Sequence, residues 1–304
     1  MKSPLGKVSK KGIVFFVAML TMMLSLASSL PAIAKIAVCI LMIFLYFFFR
    51  RDEILFNKGV GFVQQQRFQD AIDCFQKALK GDLKKDQKLA IASVFIQNGK
   101  NEEGMEIIQA LLGDELDQNL RMRALALKSI AFWNDGKPKE AIVLLEGIVD
   151  DGYEDENIMA TLSVYLIAQG RFDEAGKYLS SSSYENISTG MLDSYLWLYI
   201  SEEDWGKAFA VAKELECRTI NYPEAFFHLA LVSLEQGQTI KSKTYLEKSL
   251  SQRFVPNAII SQAFVQRFYE IVCKEPNDLS LSKKIEGHYT EVARGDDFIL
   301  DVLD

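Results

Sequence analysis

The sequence predicts an all-α protein, a solenoid of about six helix pairs preceded by two transmembrane helices. Three observations carry this reading. Residues 12–29 and 32–49 are two apolar runs with only a short turn between them. Beyond residue 52, a small residue followed four positions later by an apolar one recurs six times at a period of about 34. A glycine turn recurs in phase with it. A period of that length, made of two helices and a turn, marks a helical solenoid.

A basic N-terminus, residues 1–11, precedes the runs "GIVFFVAMLTMMLSLASS" and "AIAKIAVCILMIFLYFFF". Each would be roughly 27 Å long as a helix, just enough for a bilayer core. Pro31 in the intervening "SSLP" breaks the helix. Residues 12–49 therefore read as a transmembrane hairpin. Lys2, Lys7, Lys10 and Lys11 before it, with Arg50 and Arg51 after it, place both ends in the cytoplasm. Lys35, near the turn, can snorkel to the opposite interface. The competing reading is a signal peptide cleaved after "AIA", which would put the body outside the cytoplasm. No Gly or Pro interrupts residues 32–58. The second span is thus expected to run straight into the first soluble helix, a bend at Arg50–Arg51–Asp52 being the alternative.

The repeats occupy residues 52–252. Their small residues are Ala71, Gly104, Ala141, Ala175, Ala208 and Ser242. Four positions later stand Phe75, Ile108, Leu145, Leu179, Ala212 and Leu246, on the same helix face. Nine positions before stand Phe62, Phe95, Phe132, Leu166, Tyr199 and Ser233. A small residue at each such site predicts that the two helices of a pair cross there. Gly99, Gly136, Gly170 and Gly237 share one phase, where the first helix of a pair must end.

At these residues the chain resembles the tetratricopeptide-repeat (TPR) family. The best matches are Gly59, Phe62, Ala71, Phe75 and Ala78 in "FNKGVGFVQQQRFQDAIDCFQKAL", then Gly170, Phe172 and Ala175 in "AQGRFDEAGKYL". The likeness departs where Ala92, Ser129, Ser163, Leu196 and Ala230 replace Gly59, and most units lack the closing proline. The resemblance implies a right-handed superhelical solenoid that binds protein partners on its inward face.

Residues 253–304 are expected to cap the solenoid and end in an acidic tail. "VPNAIISQAFVQRFYEIVCKEP" predicts one more amphipathic helix over the apolar end of the last pair, as a solenoid end requires. "LSLSKKIEGHYTEVARG" predicts another. In "DDFILDVLD", Phe298, Ile299, Val302 and Leu303 form one apolar stripe if helical. That stripe is expected to seat on the solenoid or on a second copy, a frayed end being the alternative.

Little else in the sequence points to chemistry. Seven of the 34 basic residues and none of the 41 acidic ones fall in residues 1–51. The remaining body is strongly acidic and would repel a phosphate backbone, so no nucleic-acid partner is expected. Cys39, Cys74, Cys217 and Cys273 form no CxxC pair and read as free thiols, three of them as small core residues. His228 and His288 show no metal-ligand spacing, and His228 reads as structural. "GVGFVQ" lacks the third glycine of a phosphate loop. No enzyme activity, cofactor or metal is expected.

In the repeat phase, the inward face takes Phe56, Val60, Ile96, Ile130, Trp133, Val164, Trp197, Ile200, Phe227 and Leu231. The lining is largely apolar. Some TPR proteins hold a partner's C-terminal carboxylate with Lys and Asn at such positions. Here Phe56, Val60, Ala90 and Arg123 stand there, so that clamp is mostly missing. The lining is either a groove for an apolar or amphipathic helical segment or, if the coil is tight, ordinary core. The expected protein is a scaffold in a bacterial cytoplasmic membrane, with its termini and TPR domain in the cytoplasm. It would dock a protein partner for complex assembly, a second copy being one candidate. The alternative is an extracytoplasmic anchored TPR protein in secretion or envelope biogenesis.

Overall fold

The structure, a computed structural model, describes residues 31–179, 184, 186–255 and 258–274. Fourteen helices and no strand occur among these residues. The first apolar run, His288, the second C-terminal helix and the acidic tail of the sequence reading lie outside the described residues.

Two compact units divide the chain, Met1–Ile91 and Ala92–Asp304. In the first unit, α1 (Ala32–Phe49) covers the second apolar run and leads through Arg50 into α2 (Arg51–Gln64). The two are bent by 59°, so the straight continuation is corrected to a bend. Arg50 sits at the corner. Its guanidinium donates to Tyr46 Oη at 2.9 Å and to Glu53 Oε2 at 2.5 Å, one contact in each helix. Much of α1 is exposed, including Ile33 at 82% and Phe44 at 64%, while Ala34, Lys35, Val38, Cys39, Met42 and Leu45 form a half-buried stripe along one side. Among the described residues no single helix is long and apolar enough to cross a membrane; α1 and α2 pass only as a bent pair.

Helix α2 pairs with α3 (Phe68–Ala78). A side chain at Gly59 would strike the ring of Phe75, so only glycine permits this approach. Phe56 closes the same contact, its ring 5.8 Å from that of Phe75. The second pair is α4 (Lys85–Ile96) and α5 (Asn101–Leu112), which meet in the second unit where Gly104 faces Ile96 and the Ala92 carbonyl.

The pairs continue as α6 (Gln118–Asn134) with α7 (Pro138–Asp150) and α8 (Glu156–Ala168) with α9 (Phe172–Tyr178). They end with α10 (Thr189–Ser201) and α11 (Trp205–Glu216), then α12 (Pro223–Glu235) and α13 (Thr239–Leu250). All six predicted crossing residues are buried, Ala71, Ala141, Ala175, Ala208 and Ser242 at 0% exposure and Gly104 likewise buried. The residues in the Gly59 position, Ala92, Ser129, Ser163, Leu196 and Ala230, are also at 0%. Close packing at the crossings therefore tolerates Ser and Leu where the partner helix carries a smaller group.

Every first helix stops in the same way. The residue after its cap is left-handed: Gly99, Gly136, Gly170 and Gly237 have φ between 68 and 75°, and Gln66 and Glu203 take φ 59 and 55°. In the fourth pair, Gly170 N–H donates to Ile167 O and Arg171 N–H to Leu166 O, at 2.8 and 2.9 Å. The corresponding bonds of Glu203 and Asp204 reach Ile200 O and Tyr199 O, at 3.1 and 2.9 Å. This is the Schellman pattern, which satisfies carbonyls the helix end would leave bare. The 6→1 acceptors are Phe62, Phe95, Phe132, Leu166, Tyr199 and Ser233, the residues found nine positions before each crossing.

The capping helix α14 (Gln262–Lys274) starts later than "VPNAII" suggested and packs on α13. Phe264 and Phe268 lie 5.5 and 5.4 Å from the ring of Phe227. Ahead of α14, Arg253 donates to Asn98 Oδ1 at 2.6 Å. That bond links the segment after the sixth pair to the turn of the second. The cysteines differ from expectation: Cys74 is buried, while Cys217 and Cys273 are exposed.

Candidate functional site

The predicted inward residues separate into two groups. Ile96, Trp197, Ile200, Phe227 and Leu231 are exposed by no more than 1%. They are core, and of Trp197 only an edge reaches a recess wall. Phe56, Val60, Ile130, Trp133 and Val164 are half-buried. Phe56 and Val60 belong to the first unit. Trp133 is committed to Tyr165, the two rings stacked at 4.0 Å and 3°.

Ile130 and Val164 open onto two adjoining recesses in the second unit. One, of about 270 Å³, lies between α6 and α8 and is lined by Arg123, Ala126, Ile130, Asp155, Asn157 and Thr161. The other, of about 280 Å³, spans α8, α10 and α12 and shares Asn157 and Thr161 with the first. Its walls are Val164, Asp193, Ser194, Trp197, Tyr222, Glu224 and His228, with Ile259 from the segment before α14. Together they form a trough across the first helices of four consecutive pairs.

Local sequence sets this geometry. Asp155 caps α8 by accepting from Asn157 and Ile158 N–H, and Ser188 caps α10 through Met191 N–H at 3.2 Å. Glu156 Oε2 accepts from Ser188 N–H at 2.9 Å, tying the starts of the two helices together. Helix α10 is buried almost all round, from Met191 to Leu198. Such a helix shows no single polar face, and its two polar core residues, Asp193 and Ser194, must find partners. Ser194 Oγ donates toward Gly190 O at 3.0 Å and Ala160 O at 3.4 Å.

Asp193 meets His228. Nδ1 lies 2.7 Å from Asp193 Oδ1, with His228 2% and Asp193 7% exposed. The imidazole also stacks on Trp197, centroids 5.7 Å apart. Tyr222 Oη donates to Thr189 O at 3.2 Å, and burial holds its phenol well above the usual range. Glu224, one turn before His228, is pushed up by burial and by the nearby Asp193 charge, while His228 acts in the opposite sense. Among the described residues no Lys or Arg acts on Glu224.

The trough is therefore apolar at its floor and acidic at one end, with Arg123 and Asp155 at the other. The sequence reading found Ile130 and Val164 and passed over Asp193, Glu224 and Tyr222. One signal was present: Asp193 and His228 stand 35 positions apart, one repeat length. Among the described residues, no group of three or more His, Cys, Asp or Glu could hold a metal ion.

No protein-family model matches the chain, and no curated protein matches it in sequence. Among solved structures, a tetratricopeptide repeat protein from Parabacteroides merdae is similar at 12% identity and TM-score 0.49, covering 80% of this chain and 98% of its own. MamA MSR-1 C2 is similar at 17% identity and TM-score 0.34, over 66% of this chain and 95% of its own. The TPR domain of P58(IPK) gives 13% identity and TM-score 0.35, over 88% and 77%. The repeat assignment stands on the crossings and turns described above, in residues that are all-helical where the structure describes them.

Proposed function

We propose that this protein is a membrane-anchored scaffold that docks a segment of a partner protein in the trough across α6, α8, α10 and α12, at the cytoplasmic face. The observation that carries the reading is the trough itself. The first helices of four consecutive pairs present half-buried and buried side chains of mixed chemistry to one open channel. Recessed surface with an apolar floor and a few polar groups is the usual form of a binding site.

Anchoring rests on α1. Ile33, Ile36, Ile40, Ile43, Phe44 and Phe47 leave a broad apolar face of it exposed, which suits surrounding lipid. The basic residues flanking residues 12–49 favour a cytoplasmic domain. Anchoring concentrates a docked partner in a thin layer beside the membrane, which promotes assembly without new contacts. The extracytoplasmic alternative shares the trough and differs only in the side of the membrane.

A photo-crosslinking amino acid in place of Thr161, in the trough, tests the proposal in native membranes. The same amino acid in place of Val143, 66% exposed on α7, is the control. A discrete crosslinked protein from position 161 alone is expected. Equal labelling from both positions, or none from either, would overturn docking in the trough.

A further inference from the structure

We infer that the inner recess, between α8, α10 and α12, takes one basic side chain of the partner segment, a lysine or an arginine. The inference rests on the docking reading above and adds the chemistry of the anchor.

Four titratable groups face this recess. Asp193 comes from α10, Glu224 and His228 come from α12, and Tyr222 from the residue just before it. Helix α8 contributes the neutral Asn157 and Thr161, and Ile259 closes the remaining side. Asp193 is held by His228, so that pair already has its internal partner. Glu224 is in a different position: half-buried, in the recess wall, with no Lys or Arg acting on it among the described residues. A carboxylate in such a place is costly to ionise alone and is repaid when a cation enters.

The size and the walls select the kind of cation. A recess of about 280 Å³ accommodates a long side chain, and Val164, Ala160 and the edge of Trp197 suit its methylene stem. A metal ion does not fit, because no metal-holding group of carboxylates and imidazoles occurs among the described residues. An anionic side chain would face Asp193 and Glu224 together. A wholly apolar segment would bury Glu224 with nothing to pair it. The adjoining recess carries one charge of each sign, Arg123 and Asp155, so the excess negative charge that favours a basic anchor lies in the inner recess. Because burial and Asp193 keep the Glu224 carboxyl raised, cation entry displaces its proton, and binding strengthens as pH rises from acid toward neutrality.

The test pans a displayed library of random dodecapeptides on the full chain in lipid nanodiscs, and in parallel on Glu224→Gln. Enrichment of Lys or Arg at one fixed position is expected with the unaltered chain and is expected to disappear with Glu224→Gln. For a selected peptide, replacing its basic residue by norleucine should weaken binding about tenfold. Glu224→Gln should abolish both that difference and the rise of affinity with pH. Glutamine nearly preserves shape, and the lysine-to-norleucine comparison on the unaltered chain needs no variant to fold. An apolar motif enriched equally on both chains would overturn the cationic anchor and leave docking in the trough standing. Absence of any enrichment over empty nanodiscs would overturn both.

Discussion

Glu203→Gly isolates the turn that ends the fifth first helix. Glu203 is exposed, so its side chain contributes little packing, yet its backbone is left-handed at φ 55° where four equivalent turns use glycine. A residue with a Cβ loses roughly 1–2 kcal/mol in that conformation. Glycine relieves this but adds backbone entropy to the unfolded chain, costing about 0.5–1 kcal/mol. The steric term is the larger, so the net expectation is stabilisation by about 0.5–1 kcal/mol. Both Schellman bonds, at 3.1 and 2.9 Å, involve backbone only and survive the change. The converse change, Gly170→Ala, imposes the steric term and should destabilise by about 1 kcal/mol or more. Urea titrations of the full chain in detergent, followed by circular dichroism, would measure both. Destabilisation by Glu203→Gly together with indifference to Gly170→Ala would refute the left-handed turn as the common punctuation of the repeats.

Three further outcomes follow from the same structure. Ala175→Leu, at a crossing with 0% exposure, should destabilise by roughly 1–3 kcal/mol through overpacking in the same titration, and Ala71→Leu by a similar amount. Glu224 has a raised folded pKa, so the native state holds its proton more tightly than the unfolded state and this carboxyl disfavours folding as pH rises through that range. Glu224→Gln should therefore stabilise the chain at neutral pH and lose that advantage toward pH 4, as seen in melts across pH. Protease added to sealed, right-side-out membrane vesicles should leave residues 52–304 intact if the domain is cytoplasmic, and digestion without lysis would favour the extracytoplasmic alternative.

The repeat was legible because it is local. Each crossing needs a small residue at a fixed offset from a turn, and each turn leaves a glycine where φ must be positive. Gln66 and Glu203 escaped notice because a left-handed residue with a side chain has no composition signal. Their phase relative to Gly99 and Gly170 was the available clue. The trough was only partly legible. Ile130 and Val164 followed from phase, but whether Trp197 and Phe227 are lining or core depends on contacts with Phe264, Phe268 and Ile259, far along the chain. The bond from Arg253 to Asn98 spans 155 positions, which no local pattern reports. The acidic end was missed because Asp193 and Glu224 sit in helices of otherwise apolar character, where single polar residues read as tolerated exceptions. The bend after α1 was hidden because no helix breaker marks it: residues 32–58 hold neither Gly nor Pro.

The most direct measurement of the central claim is the affinity of the chain in nanodiscs for the segment recovered by crosslinking at position 161. Thr161→Arg places a large cation between the two recesses, and Val143→Arg places the same cation on an exposed face of α7. Isothermal titration should show a loss of at least about tenfold for Thr161→Arg and no change for Val143→Arg. Equal affinity for both variants and the unaltered chain would contradict docking in the trough.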